Sequence, residues 1–197
     1  MGRSQIYVRF ENEHGEKELI ARFIPWDDSL AMISRARSTI EWIKRKLEKS
    51  YSVEKFCNLM RDVAPDIMEV NLDTKQVTIS YDIIHQLQNK TKSTLQKFSQ
   101  KFLFKQDNDD GKLLIDIIGS EVKYIFLTND NEILNPSSYL DWNDPTWQIP
   151  SEYNTSEEIK QAANNMSYLA ECSVMTSEEV VNFLTFDYSK QLEEDYE

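Results

Sequence analysis

Two kinds of hydrophobic spacing alternate along this chain, and that alternation narrows its fold more than any other feature. Gln5–Phe10 and Glu18–Ile24 have the alternating pattern of strands, and the polar stretch 11–17, with Asn12, Glu13, His14 and Gly15, forms a turn between them. Pro25 closes this hairpin, and Asp27, Asp28 and Ser29 offer helix N-caps. Ile33, Ala36, Ile40, Ile43 and Leu47 then recur at three and four residues, which places them on one face of a helix. A shorter helix with Val53, Phe56, Cys57, Met60 and Val63 stops near Pro65. A second hairpin is expected over Met68–Ser80. A long helix follows from about Asp82 to Phe104, with its stripe on Ile84, Leu87, Leu95, Phe98 and Phe102. Leu113–Ile118 and Val122–Leu127, separated by Gly119 and Ser120, form a third hairpin. Hairpins and helices in this order predict an α+β fold, an antiparallel sheet of hairpins with helices packed on it.

Beyond residue 135 the texture changes. Residues 136–155 are rich in Pro, Asn, Asp and Trp and read as a loop or linker. Thr155 with Glu158, and Thr176 with Glu179, have capping-box spacing and open two helices. The expected organisation is a domain over 1–135, the linker, and an acidic helical region over 156–197 docked on the domain.

Charge divides the chain in a similar way. Residues 1–105 carry 18 Lys+Arg against 14 Asp+Glu, whereas residues 106–197 carry 4 against 20. The whole chain of 197 residues has a formal charge of −12. Acidic residues in the second half are interleaved with Tyr, Phe, Trp and Leu, so this half can fold while presenting a negative field. One reading is solubility. Another is a surface that imitates the phosphate charges of nucleic acid and enters a basic channel. A third is internal, the acidic region folding back on the basic helices.

Several chemistries are excluded or disfavoured. The 4 glycines, at positions 2, 15, 111 and 119, have no phosphate-loop spacing, so neither a Walker loop nor a dinucleotide fingerprint exists. The two histidines, His14 and His85, lack metal-ligand partners at the right spacing. The run from Asp107 places Lys112 and Ile118 where a calcium loop needs Gly and Glu. Cys57 and Cys172 read as reduced core thiols. No apolar run approaches the roughly 18 residues of a membrane span. The expectation is a cytoplasmic protein that is not an enzyme and uses no cofactor or metal.

The leading expectation is an inhibitor that binds another protein, of the anti-defence kind encoded by a phage or mobile element or the immunity kind that neutralises a toxin. It would occlude a partner with a basic, nucleic-acid-handling surface. Glu157, Glu158, Glu178, Glu179 and Asp187 would steer the partner, and Trp142, Trp147 and Tyr153 would anchor it. The first alternative is a nucleic-acid-binding protein using basic helices 29–49 and 82–105. Its face would comprise Arg35, Trp42, Arg45, Lys46 and Lys49 on the first, and Lys90, Lys97, Lys101 and Lys105 on the second. The other alternative is a structural or assembly protein that associates with itself.

Overall fold

The computed structural model describes residues 2–27, 29–49, 52–57, 70–71, 76–77, 81–82, 110–152 and 154–186. Strands β1 (Gly2–Glu11) and β2 (Lys17–Asp27) form the first hairpin, and α1 (Ser29–Glu48) follows. A helical turn at 53–57 is α2. Two short strands, β3 (Val70–Asn71) and β4 (Gln76–Val77), pair antiparallel within the expected second hairpin. Tyr81–Asp82 form β5 on the outer edge of β2, so Asp82 is strand rather than the start of a helix. The rest of the expected long helix lies outside the described residues.

The second half holds β6 (Lys112–Ile118), β7 (Glu121–Leu127), β8 (Ile133–Leu134), α3 (Pro136–Asn143), α4 (Ser156–Ala170), β9 (Ser173–Val174) and α5 (Ser177–Thr185). The stretch expected to be loop therefore begins with a helix. Asn135 caps it by accepting from the Ser138 amide, Pro136 occupies the first turn, and Tyr139 and Leu140 are buried.

The fold is α+β, but the sheet is mixed, which corrects the antiparallel expectation. Its order is β5-β2-β1-β6-β7-β8, and β9 also pairs with β7. Each hairpin is antiparallel. The two hairpins meet through β1 and β6, which run parallel, with Gln5 opposite Lys112 and Arg9 opposite Asp116. A parallel join needs a long crossover, and the intervening segment of the chain contains α1. β9 is also parallel to its neighbour β7.

Alternation along the strands gives the sheet two faces. Ile6, Val8 and Phe10 of β1, Leu113, Ile115 and Ile117 of β6, and Val122, Tyr124 and Phe126 of β7 point into one core. Ile33, Ala36, Ile40 and Ile43 of α1 complete it, each worth about 1.5–3 kcal/mol for the larger side chains. Tyr139, Leu140, Trp147, Ala162, Leu169 and Cys172 join the same core. The Tyr124 hydroxyl donates to the Leu169 carbonyl at 2.9 Å and ties β7 to α4.

The opposite face is also buried. It carries Gln5, Tyr7 and Arg9 from β1, Lys112, Leu114 and Asp116 from β6, and Ile125 and Leu127 from β7. Arg9 and Asp116 form a bidentate pair, Nε to Oδ1 at 2.9 Å and Nη2 to Oδ2 at 2.5 Å, with side chains 4% and 1% exposed. Helix α5 lies over this pair. Arg9 Nη1 donates to Asn182 Oδ1 at 3.0 Å, and the guanidinium stands 4.6 Å from the centre of the Phe183 ring. One strand further, Lys123 donates to Glu179 of α5 at 2.7 Å.

Candidate functional site

Helix α3 and the described turns that follow it build an acidic corner. Its foundation is Gly111, at φ +81°, a conformation that L side chains rarely adopt. A Cβ there would stand 2.3 Å from the Leu127 carbonyl oxygen and 3.2 Å from Cζ3 of Trp142. The indole of Trp142 thus rests against the bare backbone, and Tyr139 flanks it at 6.2 Å between ring centres. Tyr139 and Asn143 anchor α3 further by donating to the Asp110 carbonyl at 2.7 Å and to Asp110 Oδ1 at 3.2 Å respectively. Trp142 remains 36% exposed, so the corner presents one edge of a fixed aromatic ring.

Trp147 is placed differently. It is 5% exposed, belongs to the core, and donates its Nε1–H to Asp141 at 3.0 Å. Asp144 accepts from the Thr146 hydroxyl at 2.7 Å, the Thr146 amide at 2.9 Å and Asn154 at 3.0 Å. These bonds, the Thr146 hydroxyl foremost, hold its carboxyl below the ordinary aspartate range. Asn154 also shares a backbone and a hydroxyl bond with Ser151, which fixes the loop that carries Ile149, 62% exposed.

The two capping boxes form as the sequence implies and divide the glutamates into two groups. Glu158 accepts from the backbone N–H and the hydroxyl of Thr155, both of which hold its carboxyl below the ordinary range. Glu179 accepts from the Thr176 amide and from Lys123. The lysine contact is the larger cause of its lowered carboxyl, and the reciprocal bond raises Lys123. Glu157 and Glu178, one position earlier in each helix, are exposed. The glutamates at the third helical position thus hold the helices, Glu158 while still exposed and Glu179 half-buried. Tyr153 and Asp187 lie outside the described residues.

The basic face of α1 is partly consumed by packing. Trp42 is half-buried against the core, and Lys46 Nζ stands 5.3 Å from its ring centre. Arg35 is half-buried, whereas Arg45 and Lys49 are exposed. Lys90, Lys97, Lys101 and Lys105 lie outside the described residues. Helix α4 packs against the other flank of α1 through amide, ring and thiol contacts. Arg37 donates to Asn165 at 3.0 Å and stacks 5.0 Å from the Tyr168 ring centre, Asn165 donates to Ser34 at 2.8 Å, and Lys44 reaches Cys172.

Spacing did not single out the buried pair of Arg9 and Asp116 or the Lys44–Cys172 contact. The first had a signal. Arg9 stands between Val8 and Phe10, and Asp116 interrupts the apolar run Leu113–Ile118. A charge set in an apolar strand that is buried on both faces needs an opposite partner, and these two residues supply each other's. The second contact spans 128 residues and has no local signal.

Among the described residues no group of three or more His, Cys, Asp or Glu could hold a metal ion, and no helix is long and apolar enough to cross a membrane. Cys57 and Cys172 are buried and unbridged. Comparison with protein-family models, curated proteins and solved structures finds no match.

Proposed function

We propose that the chain is a non-enzymatic protein-binding inhibitor that occludes a basic, nucleic-acid-handling partner, in the manner of an anti-defence or toxin-immunity protein. One observation carries this reading. Over described residues 110–186, Glu121, Asp130, Glu132, Asp141, Glu152, Glu157, Glu158, Glu171 and Glu178 are exposed, and Lys160 is the one exposed cation among them. These carboxylates stand on helices, on turns and at the start of β7, so their mutual repulsion is held in place by the fold. Such an array accelerates encounter with a positive surface and deters like-charged partners. The exposed edge of Trp142 and the side chain of Ile149 supply apolar area beside Asp141, Asp144 and Glu152, a composition suited to anchoring once steering has occurred.

The test begins with capture of partners by the tagged chain from the host lysate at low and moderate salt, with and without nuclease. The expected partner is a basic protein retained after nuclease and released as salt rises. The identified partner is then titrated against a variant carrying Glu152→Gln, Glu157→Gln, Glu171→Gln and Glu178→Gln, which spares the capping glutamates. A fall in association rate of about tenfold or more at low salt, with a flatter salt dependence, supports the reading. Unchanged affinity and salt slope refute it.

A second reading rests on Arg45 and Lys49, exposed beside Trp42 on α1. It requires the full chain to bind single- or double-stranded nucleic acid with an affinity that falls steeply with salt.

A further inference from the structure

We propose that Cys172 and Lys44 are a redox-reversible crosslinking pair, which a hydroperoxide converts into a sulfenamide that staples α4 to α1. The two side chains come from elements 128 residues apart, and Lys44 Nζ donates to Cys172 Sγ at 3.2 Å. Tyr168 lies beside both groups. Its carbonyl is 3.5 Å from the sulfur, and its ring centre is 5.7 Å from Lys44 Nζ and 5.0 Å from the Arg37 guanidinium. The amine is thus confined between a ring face and the thiol. Cys172 occupies the turn after α4 and is 6% exposed, between exposed Glu171 and Ser173, so a hydroperoxide reaches the sulfur through local opening of that turn. Cys57 offers an internal contrast, since its sulfur is 3.5 Å from the Glu11 carbonyl oxygen, which cannot act as an amine nucleophile.

The chemistry balances with one equivalent of a hydroperoxide. The Cys172 thiol first gives its proton to solvent, and the thiolate beside the Lys44 ammonium attacks the terminal peroxide oxygen. An S–O bond forms, the O–O bond breaks, and the departing alkoxide or hydroxide takes a proton from the Lys44 ammonium. The product is a sulfenic acid beside a neutral amine. The amine lone pair then attacks sulfur, an S–N bond forms, the S–O bond breaks, and the leaving hydroxide takes a second amine proton to become water. Sulfur is oxidised by two electrons, and the peroxide is reduced to an alcohol or water. Two equivalents of an external thiol reverse the link, restoring thiol and amine and leaving a disulfide of the reductant. Proximity favours the second step over further oxidation, because an amine held in contact replaces a bimolecular encounter.

The test uses the folded full chain, treated with hydrogen peroxide or an alkyl hydroperoxide and digested without reductant. The expected product joins the peptide containing Lys44 to that containing Cys172, lighter by two hydrogen atoms than the sum of the two. Dithiothreitol removes it, and Cys172→Ser lacks it. In Lys44→Arg, which keeps the positive charge, the link is lost and dimedone traps a sulfenic acid at Cys172. Three results overturn the proposal: wild-type Cys172 left unmodified, Cys172 converted to sulfinic or sulfonic acid without a link to Lys44, or a link that persists in Lys44→Arg. The wild-type peptide map decides the question even if a variant folds poorly.

Discussion

Replacing Asp116 by Asn tests whether the second face of the sheet is as dry as its burial implies. Asp116 accepts both arms of the Arg9 fork, and both side chains are almost fully removed from water. The substitution keeps the volume but removes the negative charge and turns one acceptor into a donor aimed at a guanidinium. Hydrogen bonds to charged groups are worth roughly 1.5–3 kcal/mol each, so the bond lost outright and the weakening of the one that the Asn oxygen keeps amount together to about 2–5 kcal/mol. That agrees with the roughly 3–5 kcal/mol expected when one partner of a buried ion pair is removed. For a chain of this size it lowers the melting temperature by about 10 °C. Urea denaturation with an unchanged slope gives the free energy. Hydrogen exchange shows whether α5, held by Asn182 and Phe183 over the same guanidinium, opens first. The double change Arg9→Met with Asp116→Leu recovers most of the loss, because a well-packed apolar pair dispenses with both desolvated charges. A loss below about 1 kcal/mol for Asp116→Asn, or a loss screened away by added salt, refutes the argument, since a screened pair is a wet one.

Three further outcomes are expected. Gly111→Ala, at φ +81° and with its new methyl 2.3 Å from the Leu127 carbonyl oxygen, costs about 2–4 kcal/mol in chemical denaturation and shifts Trp142 fluorescence. Burial lowers the Lys112 amine to about 8, with Asp130 opposing, while the side chain donates to the Asn129 carbonyl and Asn131. The unfolded lysine therefore binds more protons than the folded one between pH 8 and its ordinary value near 10.5, and stability attributable to Lys112 rises through that window by up to about 3 kcal/mol. The difference in denaturation free energy between wild type and Lys112→Met, followed across that range, isolates this slope from the buried tyrosines, and a flat difference refutes it. Thr155→Ala, which removes the side-chain half of a capping box, lowers stability by about 1 kcal/mol, whereas Glu157→Gln changes it by less than about 0.5 kcal/mol, both measured by thermal unfolding.

What sequence alone determined about this protein is its local structure. The alternation in Gln5–Phe10 and Leu113–Ile118, the three-and-four spacing from Ile33 to Leu47, and the Thr155–Glu158 and Thr176–Glu179 boxes each act within a few residues. The elements they imply are present. Asn135 followed by Pro136 was an equally local signal for α3, masked by the turn-forming residues around it. Long-range choices belonged to the tertiary structure. That β1 pairs parallel with β6, that Trp147 is covered while Trp142 keeps an exposed edge, and that Arg9 meets Asp116 each depend on segments far apart in the chain. The same holds for the acidic surface. Composition showed that the second half is negative and the capping boxes were legible, but only the fold decided that Glu179 also meets Lys123, a residue 56 positions away. The physical reason is that propensity and capping act over one helical turn. Pairing direction and burial are instead set by which distant surfaces cover one another, and no single stretch of residues encodes that.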